Sequence, residues 1–205
     1  LENRTARALF VFPTKALAQD QLRKLGSVSE SLPIHLRHAT YDGDTPSEER
    51  PEIRRSAHVV LTNPDMLHLG ILPNRQMWRP FFSHLRYVVF DESHVYRGVF
   101  GSHVANVIRR LRRICASYGS NPQFILCSAT IANPKEHAEK LVGASFKAIE
   151  NDGSPSSGKD FLLWNPPLLD KEKKSRRSAN TEATFAFSEL VKRGVRTITF
   201  CRTRK

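Results

Sequence analysis

Two adjacent carboxylates, Asp91 and Glu92, directly follow the apolar run Tyr-Val-Val-Phe at residues 87–90. A short apolar run that ends in polar residues is typical of a buried strand in a parallel sheet. Parallel α/β sheets bind their ligands just beyond the carboxyl ends of the strands. An aspartate at that place can hold Mg²⁺ on the phosphates of a nucleotide, and the glutamate beside it can polarise a water molecule as a general base. The alternative is a solvated acidic turn without a ligand.

A second polar segment, Ser128-Ala129-Thr130, ends the apolar run 123–127. One helix-length segment separates the two runs, as a βαβ unit requires. A helix over 104–118 is predicted in that segment, because apolar residues recur there at helical spacing. Its four arginines form either a solvated helix face or a nucleic-acid patch; they are Arg109, Arg110, Arg112 and Arg113.

The segment Asp91-Glu92-Ser93-His94, followed by Ser128-Ala129-Thr130, resembles the Walker B box and motif III of superfamily 2 helicases. The resemblance implies ATP and Mg²⁺ as cofactors, with Asp91 as a Mg²⁺ ligand and Glu92 positioning the attacking water. It also implies that Ser128 and Thr130 link the nucleotide state to the grip on nucleic acid. His94 would bridge the acidic loop to motif III; an ordinary loop histidine is the alternative.

The composition favours a polyanionic partner. The chain has 205 residues, 40% of them hydrophobic, and a formal net charge of +12. A charge of this sign and size favours nucleic acid, because neutralised phosphates release counterions; a merely soluble basic surface is the alternative. The three cysteines have neither metal-ligand spacing nor a secreted-type framework, so we expect an intracellular protein, nuclear if its source is eukaryotic. Cys127 and Cys201 lie in apolar strand patterns, so we expect buried, reduced thiols there. No apolar run reaches membrane-spanning length, so we expect no membrane partner.

A strand at residues 8–12, followed by Pro13-Thr14-Lys15 and a helix over 15–25, resembles motif Ia of the same helicases. The resemblance implies that this turn, with Gln19 in the helix behind it, contacts the sugar-phosphate backbone. The chemistry agrees, because a helix N-terminus with a hydroxyl and a cation can bind a phosphate. Thr14 is the predicted N-cap of this helix. An ordinary capped helix, which needs Thr14 but not Lys15, is the alternative to a phosphate contact.

Two further segments resemble nucleic-acid contacts of the family. The turn that contains Gly43 and Asp44 resembles the small loop between motifs Ia and Ib, and Thr62-Asn63-Pro64-Asp65 resembles motif Ib. Proline at a helix start is preorganised for it, and the hydroxyl and amide before it can cap the free N–H groups. The aromatic residues Trp78, Phe81 and Phe82 are interpreted first as core, with base stacking as the alternative.

The end of the chain is interpreted as the start of a second lobe. A Gly/Ser-rich linker over 151–160 precedes a predicted helix over 181–193 with Phe185 and Leu190 on its buried face, and then a predicted strand over 195–201. The segment at 199–204 resembles motif IV, which implies that Arg202 and Thr203 contact the nucleic-acid backbone. A further strand is expected at 146–149.

Together these features predict an α/β fold: a RecA-like parallel sheet flanked by helices over 1–150, then the linker, then the beginning of a second RecA-like lobe over 161–205. The Asp-Glu-Ser-His segment at 91–94 and the Tyr-Arg-Gly-Val-Phe-Gly-Ser-His string at 96–103 most resemble the Hrq-type, RecQ-related DNA helicases and their bacterial YprA-type relatives. That resemblance implies a 3′-to-5′ DNA translocase active in DNA repair, acting on single-stranded or forked DNA.

The sequence lacks the family's Walker A and motif VI. Gly153, Gly158 and Lys159 imitate a Walker A, but Asp160 stands where Mg²⁺ needs a hydroxyl. We therefore expect the 205 residues to be a motor fragment that hydrolyses ATP negligibly by itself. An RNA-remodelling ATPase and a non-enzymatic basic nucleic-acid-binding module are the alternatives. Polarity, substrate structure, protein partners and oligomeric state do not follow from the sequence alone.

Overall fold

The computed structural model describes residues 5–129, 131–151, 153, 155, 158–170 and 175–200. The described residues form two compact units, one extending to Asn151 and the other lying beyond it. In chain order, the elements of the first unit are β1 (Arg7–Val11), α1 (Lys15–Glu30), β2 (His38–Thr40), α2 (Arg50–Ser56), β3 (Val59–Thr62), α3 (Pro64–Met66), a π-helical turn (Leu67–Ile71), α4 (Arg79–Ser83), β4 (Leu85–Phe90), a 3-10 turn (Ser93–Val95), α5 (Gly98–Ser117), β5 (Gln123–Leu126) and α6 (Pro134–Val142).

The first unit is built on a five-stranded sheet in the order β2-β3-β1-β4-β5. Every neighbouring pair of strands is parallel, which confirms the predicted α/β architecture. The register aligns Val11 with Thr62 on one side and with Phe90 on the other, and Phe90 with Leu126. The carboxyl ends of the strands therefore lie level at one edge of the sheet.

Helices cover both faces of this sheet. Leu9 and Val11 of β1 belong to the larger apolar cluster, which includes α5, whereas Phe10 and Phe12 pack with Ala18 of α1 in the smaller one. This alternation follows from the period of two along a strand. The apolar stripe predicted for the arginine-rich helix is buried, and its members are Val104, Val107, Ile108, Leu111 and Ile114.

A group of aromatic side chains forms part of the larger apolar cluster beside the sheet. Trp78, Phe81 and Phe82 are at most 1% exposed, so these rings are core rather than base-stacking surfaces. The Trp78 ring packs edge-on against Tyr41 at 4.8 Å between centroids and against Phe81 at 5.5 Å. Edge-to-face pairs of this kind add to the stability that burial alone provides.

Three details of the first unit differ from the sequence prediction. Residues 146–149 form no strand. Helix α5 begins at Gly98, not at residue 104, because Gly98 adopts a φ of 57° that lets the helix start immediately after the preceding loop. Cys127 is exposed rather than buried, since β5 is an edge strand of the described sheet.

The second unit contains β6 (Leu168–Asp170) and β7 (Ser175–Arg176), which pair antiparallel, and α7 (Ala179–Lys192). The predicted helix is present, but its predicted apolar face is not buried: Phe185 is 59% exposed and Leu190 39%. Residues 195–200 form no strand, and residue 201 lies outside the described residues. The helix lacks its apolar contacts because the described part of this unit offers it no parallel sheet to pack on.

In the described part of the chain, no helix has the length and apolar composition to span a bilayer.

Gly101 provides a test of how α5 is seated. A Cβ added there would clash with the carbonyl oxygen of Tyr96, so Gly101→Ala forces the helix away from the loop before it. We expect this substitution to lower the free energy of unfolding by about 1–3 kcal/mol, as overpacking does. The measurement is urea denaturation followed by far-ultraviolet circular dichroism.

Gly26→Ala in α1 is the matched control. Its added Cβ would meet only the His38 ring, at an ordinary 3.7 Å. We expect a gain of about 0.5–1 kcal/mol there, because glycine is a poor helix former. Equal effects of the two substitutions would contradict the close approach at Gly101.

Candidate functional site

The polar segments predicted from the sequence lie in a row at one edge of the sheet. The loop after β2 carries Gly43 and Asp44, β3 ends in Thr62 and Asn63, and β1 is followed by Pro13, Thr14 and Lys15. Asp91 and Glu92, together called the acidic turn below, follow β4, and Ser128 follows β5. Because neighbouring strands lie about 4.8 Å apart, the whole row spans on the order of 20 Å. The sheet thus separates an acidic end from the segments predicted to contact nucleic acid, and β1 and β4 meet between them.

Backbone hydrogen bonds fix the acidic turn to its neighbours. The Asp91 N–H donates to the Val11 carbonyl oxygen at 3.0 Å, and the Ser93 N–H donates to the Cys127 carbonyl oxygen at 2.8 Å. The Asp91 carboxylate accepts a bond from the Glu92 N–H at 2.9 Å. Both carboxylates are only partly buried, so they are held in place while still being open to a ligand.

Glu92 has a left-handed backbone conformation, with φ 48° and ψ 43°. It is the one non-glycine residue with positive φ among the described residues. This conformation costs roughly 1–2 kcal/mol for a residue with a side chain. The hydrogen bonds on either side of Glu92 offset that cost and turn its carboxylate toward His94.

His94 joins the acidic turn to the segment after β5. Its Nδ1 lies 3.3 Å from the Glu92 carboxylate and 3.4 Å from the Ser128 hydroxyl oxygen. The structure therefore brings together three of the residues predicted to be catalytic. The Ser128 hydroxyl also donates to the Ala129 carbonyl oxygen at 2.8 Å. Thr130 lies outside the described residues.

The negative charge of the acidic turn acts on two neighbouring groups. Burial, followed by the charges of Asp91 and Glu92, raises the pKa of the Tyr96 hydroxyl well above its usual range. Partial burial of the thiol, followed by the same two charges, raises the pKa of Cys127, although the residue as a whole is exposed. The carboxylates thus maintain a negative potential at the end of β4, which is a suitable environment for a cation.

The donor set at this position fits Mg²⁺. Magnesium prefers oxygen ligands and is commonly held by one or two carboxylates together with water and substrate phosphates, not by a full protein cage. Asp91 supplies such an oxygen donor at the carboxyl end of a central strand. In the described residues, no group of three or more His, Cys, Asp or Glu side chains is arranged to hold a metal. A metal bound here would therefore depend on ligands from the nucleotide and solvent.

Thr14 caps α1 as predicted, because its hydroxyl oxygen accepts a hydrogen bond from the Leu17 N–H at 3.4 Å. Lys15 forms an ion pair with Asp44 at 2.8 Å, and both side chains are largely exposed. The hydrogen bond to Asp44 raises the pKa of Lys15. Gln19 donates to the Thr40 hydroxyl at 3.3 Å. Two segments predicted independently to contact nucleic acid are therefore in direct contact with each other.

The loop that carries Asp44 is held firmly. Asp42 is 3% exposed; its carboxylate accepts from the Asp44 N–H at 2.8 Å, while its own N–H donates to the Thr45 hydroxyl at 2.9 Å. Arg50 donates to the carbonyl oxygens of Thr45 and Asp42, each at 3.1 Å. This network presents Asp44 to Lys15, and residue spacing alone gave no sign of Arg50's part in it.

Thr62 and Asn63 have different tasks at the end of β3. The Thr62 hydroxyl is buried and donates to the Tyr41 carbonyl oxygen at 2.7 Å, so it connects β3 to the loop after β2 instead of capping a helix. Asn63 is the cap, since its side-chain oxygen accepts from the Met66 N–H at 2.8 Å. Pro64 is buried and Asp65 is exposed. Only Asn63 and Asp65 of this segment offer accessible polar atoms to a partner.

One residue of the site was not predicted. His137 in the first turn of α6 donates through Nε2 to the Ser93 carbonyl oxygen at 2.8 Å, which fixes α6 to the acidic turn. Its place just after the segment that contains Ser128 is the only sequence signal that could have indicated it.

Arg202 and Thr203, predicted to contact nucleic acid, lie outside the described residues.

Comparison with known proteins places this geometry in a family. Residues 1–137 match the sequence profile of the DEAD/DEAH box helicases. The chain is 51% identical over 203 residues to the uncharacterized ATP-dependent helicase YprA of Bacillus subtilis, covering 99% of the chain and 27% of that protein. It is 46% identical over 211 residues to the ATP-dependent helicase hrq1 of Schizosaccharomyces pombe, covering the whole chain and 20% of that protein.

A solved structure agrees. The crystal structure of the DUF1998 helicase MrfA bound to DNA and AMPPNP superposes with a TM-score of 0.95 at 51% identity, covering 99% of the chain and 28% of that protein. The first unit thus has the RecA-like fold of helicase domains. The chain spans about a fifth to a quarter of the length of the curated relatives named above. The profile match and these relatives show that the chain belongs to the DEAD/DEAH box helicases, among those of the Hrq and YprA type.

Proposed function

We propose that these residues form part of the motor of an ATP-dependent DNA helicase. The observation that carries the proposal is the single sheet edge that aligns the acidic turn with the segments after β1, β2 and β3. DNA is the proposed partner because MrfA, 51% identical to this chain, is described in complex with DNA and AMPPNP. The net charge of +12 supports a polyanionic partner but does not distinguish DNA from RNA.

At the nucleotide end, Asp91 would hold Mg²⁺ and Glu92 would orient the attacking water. Mg²⁺ bound to ATP neutralises charge that develops on the transferred phosphoryl group. His94 lies between the Glu92 carboxylate and the Ser128 hydroxyl, so a shift of the carboxylate is transmitted to the segment after β5. We assign Thr130 the same linking role as Ser128, from the motif alone.

At the nucleic-acid end, Thr14, Lys15 and Asn63 would contact the backbone of the bound strand. Their support is position: all three follow strands that end at the same edge. Pro13, Gln19 and the Gly43-Asp44 loop would line this contact, and the buried Thr62 would position Asn63. We further propose that 1–150 is the first lobe, 151–160 a linker and 161–205 the start of a second lobe, with Arg202 and Thr203 contacting the same strand.

We also propose 3′-to-5′ movement, a role in DNA repair, and an intracellular protein that is nuclear in a eukaryote. The support for the direction and the repair role is the resemblance of residues 91–94 and 96–103 to Hrq-type helicases and their relatives. The support for the location is the cysteine pattern, which has neither metal-ligand spacing nor a secreted-type framework. Unwinding of duplexes that carry either a 3′ or a 5′ single-stranded tail tests the direction. Unwinding from the 5′ tail alone would overturn it.

Glu92→Gln tests the motor. In the full-length natural protein that carries these residues, we expect ATP hydrolysis stimulated by single-stranded DNA to fall by about 100-fold or more, because the variant loses a general base. The measurement is phosphate release with and without DNA. For the 205 residues alone we expect negligible hydrolysis.

Two outcomes would contradict this function. Stimulation by RNA but not DNA would identify an RNA-remodelling ATPase. DNA binding without any hydrolysis by the full-length wild type would identify a binding module. A separate outcome, unchanged ATP hydrolysis in Glu92→Gln, would contradict only the role of Glu92, because it would show that Glu92 does not position the water.

Lys15 and Asp44 should affect DNA affinity in opposite directions. Lys15→Ala removes a cation from the proposed path of the DNA strand. We therefore expect weaker DNA binding and a salt dependence lower by about one phosphate contact. Asp44→Asn releases Lys15 from its ion pair and should strengthen binding. The measurement is fluorescence anisotropy of a labelled oligothymidylate over a range of salt concentrations.

Asp20→Asn is the matched control for the second variant. It removes the same charge from α1, where Asp20 pairs with Lys24 at 2.7 Å on the helix itself. Equal strengthening by Asp44→Asn and Asp20→Asn would mean that net charge alone sets the affinity.

Cys127 can report the charge of the acidic turn without turnover. Partial burial raises the pKa of its thiol, and the two carboxylates raise it further, so Asp91→Asn should lower that pKa, increase the thiolate fraction at a given pH, and speed alkylation by iodoacetamide. Asparagine retains the oxygen that accepts from the Glu92 N–H, so the turn is kept. The rate is followed by mass spectrometry of the Cys127 peptide. An unchanged rate would show that Asp91 does not set the potential there.

A further inference from the structure

A cavity of about 390 Å³ lies between α5 and the segment that follows β3. Its walls include Pro64, His68, Phe100, His103, Arg110 and Arg113. Pro64 belongs to the segment that resembles motif Ib, and Phe100 and His103 lie in the Hrq-type string at 96–103, to which no contact was assigned. His68, Arg110 and Arg113 belong to no helicase motif noted in the sequence. The volume is that of a small organic group and well above that of a single ion.

The base of the cavity is apolar and its rim is cationic. Val104 and Val107, which line it, are 2% and 9% exposed. The Phe100 ring is 40% exposed and packs on Tyr96 at 5.7 Å between centroids, so it is held in place while part of it remains open. An aromatic surface beside an apolar base suits a planar, uncharged group.

The charges of the rim favour an anion. Arg110 and Arg113 bring two guanidinium groups against the single carboxylate of Asp65. His68 and His103 add imidazole rings, whose N–H groups can donate hydrogen bonds. The Arg110 guanidinium donates to Nδ1 of His68 at 3.3 Å, which connects α5 to the segment after β3. A phosphodiester is the anion that nucleic acid would supply here.

The cavity adjoins the proposed path of the strand. Pro64 and Asp65, which line it, directly follow Asn63, the accessible cap at the sheet edge. A DNA strand held at Asn63 would therefore pass the mouth of the cavity. Arg112 donates to the Val142 and Gly143 carbonyl oxygens at 2.9 and 2.8 Å. Arg109 does not line the cavity; it lines an adjacent depression, which Arg113 also lines.

We propose that this cavity binds one nucleotide of the single-stranded DNA, its base against Phe100 and its phosphate at Arg110 and Arg113. The proposal rests on the proposed DNA-binding function and adds a contact that the helicase motifs do not include. Base stacking on an aromatic ring tolerates any base, as a motor that moves along DNA requires.

The test measures binding of a fluorescein-labelled oligothymidylate of about 12 nucleotides, a length typical of one binding module. We expect Phe100→Leu, which keeps an apolar contact with Tyr96, to weaken binding about fivefold or more through loss of stacking. We expect Arg110→Gln to reduce the salt dependence by about one phosphate contact. Arg109→Gln, the same change one residue away and outside the cavity, should do neither.

Photo-crosslinking locates the contact directly. An oligothymidylate carrying 5-iododeoxyuridine should crosslink within residues 98–109, and Phe100→Leu should abolish that crosslink. Failure of the wild type to bind DNA at all would overturn the proposed function as well as the cavity. Wild-type binding with equal effects of Arg109→Gln and Arg110→Gln, and crosslinks confined to other segments, would overturn the cavity alone.

Discussion

The level register of five parallel strands is the constraint on which the candidate site depends. Val11 at the end of β1 is aligned with Thr62 of β3 and with Phe90 of β4. Beyond the strands the pairing continues, because the Phe12 N–H donates to the Thr62 carbonyl oxygen and the Asp91 N–H to that of Val11. A change of register by one residue would turn Leu9 and Val11 out of their cluster and separate the acidic turn from the segments beside it. The same packing that stabilises the sheet therefore also places the functional groups.

Electrostatics divides this edge into two parts. The acidic turn after β4 carries a negative potential that raises the pKa of the Tyr96 hydroxyl and the Cys127 thiol, after the effect of their burial. The turn after β1 offers Lys15, whose charge is offset by Asp44. A net charge of +12 would attract a polyanion anywhere on the surface, so local pairing of this kind would determine where the proposed nucleic-acid partner binds productively. An exposed ion pair exchanges readily, because water screens its attraction.

The sequence predicted what depends on local pattern. Apolar runs that end in Asp91 and Ser128 were sufficient to place two strands and their functional ends, and Thr14 caps α1 as expected. Contacts between distant segments did not follow from pattern: Arg50 bonding the loop after β2, His137 reaching Ser93, and Thr62 donating to Tyr41. The exposed faces of α7 show the same limit, since periodicity predicts which residues are apolar but not whether a sheet is present to cover them.

Glu92 shows how the two parts of the edge can be coupled. Its left-handed backbone is maintained only while the bonds at Asp91 and Ser93 persist on either side of it. Asp91 is bonded to the end of β1, from which the segment that carries Lys15 continues, and Ser93 is bonded to the end of β5. A ligand that moved either carboxylate would therefore act on a strained turn fixed to both segments, and strained turns of this kind can adopt alternative arrangements at modest energetic cost. Coupling in this protein would accordingly pass through β1, the strand whose end contacts both the nucleotide end and the nucleic-acid end of the sheet.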